Sequence, residues 1–250
     1  MKLRGKRVLI TGGTSGIGLA LVDELLRAGA DVVVCGRDRG RLEALRAMRP
    51  AVSTVVADIG VRADVARLAA WCASELGGLD VLVQNAGVAF WYDFASAGDA
   101  ADRIEEEVRT NLVGPLILAA AFLPVLARSK AATLCIVSSG LAYVPLHCYP
   151  VYSATKAGLH SFARSLRAKA PPNVRVLEVL PPFVDTPLVR DVHAFKISAQ
   201  AAARAIRRSI EHDRRESPIG LARLLPAAVR VAPNFTEAVL QRLAWKKRRR

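Results

Sequence analysis

The chain has 250 residues, 52% of them hydrophobic and 23% charged, which excludes a disordered chain and suffices for one large core. Its formal net charge is +14 but unevenly spread: from Arg204 to Arg250 thirteen Lys/Arg face four Asp/Glu, a surplus of +9 that leaves +5 for the preceding 203 residues. The basicity therefore belongs to the C-terminal region, and no aromatic platform or groove-reading motif accompanies it, so a nucleic-acid partner is not expected.

Lys2, Arg4, Lys6 and Arg7 precede an apolar run, Val8 to Ile10, that stops at once in Thr11-Gly12-Gly13. That run is too short for the apolar core of a signal peptide and reads as a strand. From there short β-rich runs alternate with helical patterns. Strands are predicted at residues 7–11, 32–35, 53–57, 81–84, 134–137 and 174–180, with a last short one at 217–219. Helices are predicted at 18–28, 41–48, 64–76, 101–127 and 153–168. The strands are continuous apolar runs, as expected where helices cover both faces of a parallel sheet. Residues 1–250 are read as a single domain, with 221–250 a basic C-terminal extension. The uncharged segment 111–127 contains Asn111, Gly114 and Pro124 and falls short of the roughly 20 residues that span a bilayer. It reads as a helix buried partly in the core and partly against another subunit. Cys35, Cys72, Cys135 and Cys148 show no CxxC spacing and are read as reduced packing residues of a cytoplasmic protein, with no metal site.

Thr11-Gly12-Gly13-Thr14-Ser15-Gly16-Ile17-Gly18 follows the first strand and opens a helix. Glycines there permit a tight turn and let the backbone approach a pyrophosphate, which would rest on the N–H groups at the helix start. Together with the β/α alternation this predicts a single Rossmann-type, doubly wound parallel sheet. The second strand ends in Val34-Cys35-Gly36-Arg37-Asp38. An acidic residue accepting from the ribose hydroxyl would signal NAD; instead Gly36 is uncharged and Arg37 can meet a 2′-phosphate. Asp38 reads as the N-cap of the next helix. NADP(H) is therefore expected in preference to NAD(H).

Tyr152 and Lys156 are four residues apart and would share one helix face. A phenol has an unperturbed pKa of about 10, and a neighbouring cation is expected to bring it toward the working pH. Ser139, thirteen residues before Tyr152, would hold a substrate oxygen beside the phenol. Ser138 points the other way along a strand and reads as a structural hydroxyl.

These elements, together with Asp58, Asn85-Ala86-Gly87 and Asn111 in Thr-Asn-Leu-Val-Gly, resemble in order and spacing the short-chain dehydrogenase/reductase family over at least residues 6–186. The resemblance implies that Gly12, Thr14, Ser15, Gly16, Ile17 and Gly18 hold a dinucleotide, that Asp58 and Ile59 serve its adenine, and that Asn85, Ala86 and Gly87 flank a ribose. It implies Tyr152 as proton donor and acceptor, Lys156 as ribose ligand and pKa modulator, Ser139 as carbonyl orienter, and Asn111 as holder of a water in a relay to Lys156. Gln84 stands where the family usually has Asn. Pro181-Pro182-Phe183-Val184-Asp185-Thr186 departs from the usual Pro-Gly-x-x-x-Thr, and Val184 and Thr186 would still serve the carboxamide and phosphates. With Ser138 to Leu146, this segment resembles the DltE-like branch.

The segment from Thr186 to a helix expected at Ser198 is short, which suggests an open site for a small or bulky carbonyl or alcohol substrate. Leu141, Tyr143 and Phe183 would line it; Phe90, Trp91 and Tyr92 would either join them or belong to core or interface. His147 and His193 read as loop residues. Asn234-Phe235-Thr236 would cap a final helix with Phe235, Val239 and Leu243 on one face. The basic residues 246–250 read as a solvated terminus in preference to a membrane-surface contact. The expected function is an NADP(H)-dependent carbonyl reductase or alcohol dehydrogenase. The alternatives are a cofactor sensor without turnover and a site redirected to ester hydrolysis. A homodimer or homotetramer is expected, because family members commonly pair the two long helices across a two-fold axis.

Overall fold

The computed structural model describes residues 1–94, 100–189, 194–212 and 214–244. Its frame is a parallel sheet of β1 (Arg7–Thr11), β2 (Asp31–Gly36), β3 (Ser53–Val56), β4 (Val81–Gln84), β5 (Ala132–Val137), β6 (Val174–Leu180) and β9 (Glu216–Pro218), in the order β3-β2-β1-β4-β5-β6-β9. Between β1 and β4 the direction of winding reverses, which opens a crevice at the carboxyl ends of those strands. Two short strands, β7 (Val184–Asp185) and β8 (Ile197–Ser198), pair in parallel beside it.

Side chains alternate across each strand, and both sets are apolar. Val8, Ile10 and Val34 face a layer with Leu21 of α1 (Gly16–Arg27) and Ile206 and Ile210 of α7 (Ala199–Glu211). Leu9 and Val33 face the other layer, with Leu68 of α3 (Arg62–Ser74), Phe122 of α5 (Gly114–Leu126) and Leu159 of α6 (Pro150–Arg167). This double burial is why the strands read as unbroken apolar runs. Asp38 caps α2 (Arg39–Met48) as expected, accepting from the Arg41 N–H at 3.0 Å. Ser198 likewise caps α7, accepting from Ala201 N–H at 3.1 Å.

Two helical expectations need correction. The single helix expected over 101–127 is α4 (Ala100–Val108) and α5 joined by a π-helical turn, Arg109–Val113. Pro115 cannot donate to the carbonyl four residues before it, and the ladder widens so that Gly114 N–H reaches the Arg109 carbonyl. The last helix is not capped at 234–236. It is a pair, α8 (Leu225–Val231) and α9 (Pro233–Ala244), and Pro233 takes the first-turn position where its missing N–H costs nothing. His193 and the basic residues 246–250 lie outside the described residues.

Candidate functional site

The loops after β1 and β4 meet in the crevice. Thr11 Oγ1 accepts from the Asn85 and Ala86 N–H groups, both at 3.0 Å, while Asn85 Nδ2 donates to the Thr11 and Gly12 carbonyls at 3.1 Å. Asn85, expected only to flank a ribose, is thus the staple between the two loops. The glycines are required by contact. A Cβ on Gly12 would lie 2.9 Å from Ala86 Cα, and one on Gly18 would collide with the Gly12 carbonyl and come within 2.6 Å of Asn85 Nδ2. Gly16 has φ +52°, and Thr186 stands 3.2 Å from where its Cβ would be, so Thr186 closes the phosphate loop from the far side.

A cleft of about 590 Å³ runs from this loop to α6. It is bordered by every residue expected at a dinucleotide: Gly12, Thr14, Ser15, Gly16, Ile17, Gly18, Arg37, Asp58, Ile59, Asn85, Ala86, Gly87, Val184 and Thr186. Arg37 donates to Glu106 at 2.9 Å in an exposed pair. Arg41 also borders the cleft beside Asp38, a second cation that the sequence reading missed. Asp58 Oδ1 accepts from Gly60 N–H at 2.8 Å, fixing the turn after β3. Gln84 is buried and donates to the Pro115 carbonyl at 2.9 Å, so it anchors α5 and takes no place in the cleft.

At the inner end Ser139, Tyr152 and Lys156 converge. Burial pushes the Tyr152 phenol up, opposed by its hydrogen bond with Ser139, while the charge of Glu107 adds to the rise. The expected lowering by Lys156 is not found: the phenol stands above its ordinary value, and the group that opposes the rise is Ser139. Lys156 Nζ lies 5.4 Å from the Tyr152 ring centre and donates to the Val137 carbonyl at 3.0 Å. Burial brings its pKa down to about 8 against the pull of Glu178 and Glu107. Ser138 donates to the Lys156 carbonyl at 3.3 Å, a structural hydroxyl as anticipated.

Asn111 is fully buried behind the cleft wall, its amide spent on Val88: Oδ1 accepts from the Val88 N–H at 2.9 Å and Nδ2 donates to its carbonyl at 2.7 Å. It does not border the cleft. A Cβ at Gly87 would sit 3.2 Å from Asn111 Oδ1 and 4.0 Å from Lys156 Nζ, so Gly87 is the narrow wall between them. One turn before Asn111, Glu107 is also fully buried, accepting from Tyr92 OH at 2.9 Å and from the Phe90 backbone. Burial raises its pKa to about 7, although Lys156 draws it down. Nothing in the run Glu105-Glu106-Glu107 marks which of the three points inward.

Leu141, Phe183 and Phe90 border the substrate end, but Tyr143 does not. The tight turn Gly140–Ala142 carries Tyr143 past the mouth, where its hydroxyl donates to Glu216 and its ring meets His160 edge-on. His160, Glu178 and Glu216 gather there within 4.8 Å, and Arg167 adds positive charge at 3.6 and 3.8 Å from the two carboxylates. Tyr92 belongs to Glu107 and stacks on Phe94, and Trp91 is exposed. His147 is a loop residue that holds α9: its N–H donates to Gln241, and Nε2 meets Glu237 at 3.1 Å. Leu240 and Ala244 of α9 pack with Leu141, Tyr149 and Phe183, backing the residues that line the mouth.

The sequence model for short chain dehydrogenases matches residues 6–196. The oxidoreductase DltE of Bacillus subtilis (strain 168), itself uncharacterized, is 41% identical over 189 residues, 75% of each chain. A short chain dehydrogenase of Burkholderia cenocepacia J2315, solved with NADP, superposes with a TM-score of 0.85 at 29% identity, covering 96% of this chain and 99% of that one. A relative from Burkholderia phymatum, solved with NAD, shares the fold with a TM-score of 0.81 at 21% identity, covering 98% of both chains.

Proposed function

This chain belongs to the short chain dehydrogenase family, and we propose that it works as an NADP(H)-dependent oxidoreductase interconverting a carbonyl and an alcohol. The reading is carried by one continuous cleft, from a glycine loop with two arginines at one end to Ser139, Tyr152 and Lys156 at the other. The residues fit a dinucleotide. The space a Cβ would fill at Gly12 and Gly18 is taken up by backbone packing, and the N–H groups at the start of α1 suit a pyrophosphate. Gly12, residues 14–18 and Thr186 would hold that group, Asp58 and Ile59 the adenine, Asn85, Ala86, Gly87 and Lys156 the riboses, and Val184 the carboxamide.

Solved relatives carry NADP or NAD, so the preference rests on Gly36, Arg37 and Arg41. The exposed Arg37–Glu106 pair is worth at most about 1 kcal/mol. Charge-assisted bonds to a 2′-phosphate, roughly 1.5–3 kcal/mol each, outweigh it.

A bound nicotinamide would supply or take the hydride. Tyr152, kept protonated by burial, gives its proton to the substrate oxygen in reduction and recovers it in the reverse direction. Ser139 stabilises the charge that develops on that oxygen. Lys156 balances the phenolate, and Asn111 fixes the wall at Val88 beside which a water relay to Lys156 would run. Leu141 and Phe183 offer an apolar mouth for the rest of the substrate.

Residues 1–250 act in this reading as one unit. The four cysteines are free, which suits the reducing cytoplasm. Leu116 and Ile117 are only partly covered and Val113 is exposed, which supports a homodimer or homotetramer; a monomer by light scattering at micromolar concentration would contradict it. The reaction is tested by NADPH consumption over a panel of ketones, aldehydes and bulky carbonyls, with Tyr152→Phe as the blank. Turnover confined to the parent protein is expected. Ester hydrolysis without nicotinamide, and no redox turnover, would overturn it.

A further inference from the structure

The outer surface of the α8–α9 pair carries an apolar stripe that no described residue covers. Val231, Phe235, Val239 and Leu243 recur every four residues and are 84%, 72%, 37% and 63% exposed. Leu221 and Leu224, just before α8, are exposed as well. Of the thirteen large hydrophobic residues exposed among the described residues, these six fall within 221–243. A four-residue spacing stacks the α9 members on one helix face. The opposite face is committed to the fold through Leu240, Ala244 and the bonds of Gln241 to His147 and Pro145. The helix is therefore seated, with its apolar stripe turned outward.

Charge indicates what covers that stripe. Residues 220–250 contain eight Lys/Arg and one acidic residue, Glu237, which is engaged with His147. A second copy seated on the stripe would bring two such +7 segments together, a repulsive arrangement. A nucleic acid would answer the charge and leave the aliphatic side chains unused. An anionic bilayer satisfies both features, because apolar side chains enter the boundary beneath the headgroups while basic residues meet the lipid phosphates.

We propose that α9, with the exposed Arg230 and Arg242 and the basic residues 246–250 that follow it in sequence, is an interfacial helix that seats the protein on an anionic lipid surface. This reverses the expectation of a solvated terminus. The decisive observation is that Phe235, Val239 and Leu243 face solvent, whereas the sequence could not tell an outward stripe from a buried one. The proposal does not depend on the reaction.

The test is co-sedimentation of the full chain with vesicles of phosphatidylcholine, with and without phosphatidylglycerol, at low and high salt. The protein should pellet with the anionic vesicles at low salt and stay in solution with the neutral ones. Phe235→Ser with Leu243→Ser should weaken partitioning by on the order of tenfold. Removal of residues 246–250 should weaken it comparably and abolish most of its salt dependence. Unchanged NADPH binding shows that each variant remains folded. The idea fails if the parent protein ignores anionic vesicles, or if the serine variant pellets as the parent does. It also fails if the serine variant splits a dimer that shows no affinity for lipid, since the stripe would then belong to a second copy.

Discussion

The two ends of the cleft are built from different material. The nucleotide end is backbone: consecutive loops at the ends of β1 to β4, packed so closely that a methyl on Gly12 or Gly18 meets a neighbouring main chain or its staple. The substrate end is side chains, with Leu141, Tyr149 and Phe183, and α9 packed behind them, drawn from segments spread over about a hundred residues. Backbone contact is indifferent to side-chain replacement and intolerant of added volume. Side-chain contact can be altered one residue at a time without dismantling the scaffold. The first arrangement suits a ligand common to a whole family, the second a substrate that differs among its members.

Mutations at the junction and at each end should separate these properties. The largest effect belongs to Tyr152→Phe, which keeps shape but removes the proton. It should cut kcat by on the order of 10²–10⁴ while NADPH still binds; near-normal turnover would show that the chemistry lies elsewhere. Gly18→Ala follows. Its methyl has no room beside the Gly12 carbonyl and Asn85, so a loss of about 3 kcal/mol in cofactor binding or stability is expected. Unchanged NADPH titration and thermal unfolding would refute the backbone-built description. Arg37→Asp should weaken NADPH by roughly 1.5–3 kcal/mol and NADH much less. Equal losses would mean that Arg37 does not read the 2′-phosphate.

The smallest effect concerns Glu107, behind the wall at the inner end. Its folded pKa of about 7 lies above the ordinary 4.5, so between those values the native state holds more protons than the unfolded chain. The contribution to stability is full below 4.5 and is lost as pH rises through about 7. Lys156, lowered to about 8 from 10.5, acts with the opposite sign: stability rises with pH between those two values. Below pH 8 His160, whose pKa is raised by its hydrogen bond with Glu178, adds a decline of the same sign, so the difference between parent and variant denaturant midpoints isolates the carboxyl group. Glu107→Gln should flatten the decline, and an unchanged slope would show that Glu107 does not titrate there.

What was legible in the sequence follows the same division. The strands, the glycine loop, the Asp38 cap and the Ser139/Tyr152/Lys156 spacing are local patterns whose geometry is set within one or two elements. Tyr143 was misplaced because it adjoins Ser139 and Leu141 in sequence, while a three-residue turn sends it to Glu216, 73 residues away. Glu107 went unnoticed because its burial depends on Tyr92 and Phe90 from another loop. Arg41 was hidden by its place on a helix: only the fold brings that turn of α2 beside the loop after β1. The helical register of α9 was visible, but its direction was set by His147 and Leu141, which no periodicity announces.

The support that α9 gives to the lining of the substrate mouth also has a meaning in time. Translation proceeds from the N-terminus, and domains begin to organise as chain emerges. The loops that cradle the cofactor are nearly all synthesised by Gly87, and Val184 and Thr186 complete them. Leu240 and Ala244 are made more than fifty residues later. A nascent chain can therefore possess its nucleotide cradle while the lining of its substrate end still lacks the helix that backs it, so that synthesis itself orders the two halves of the site.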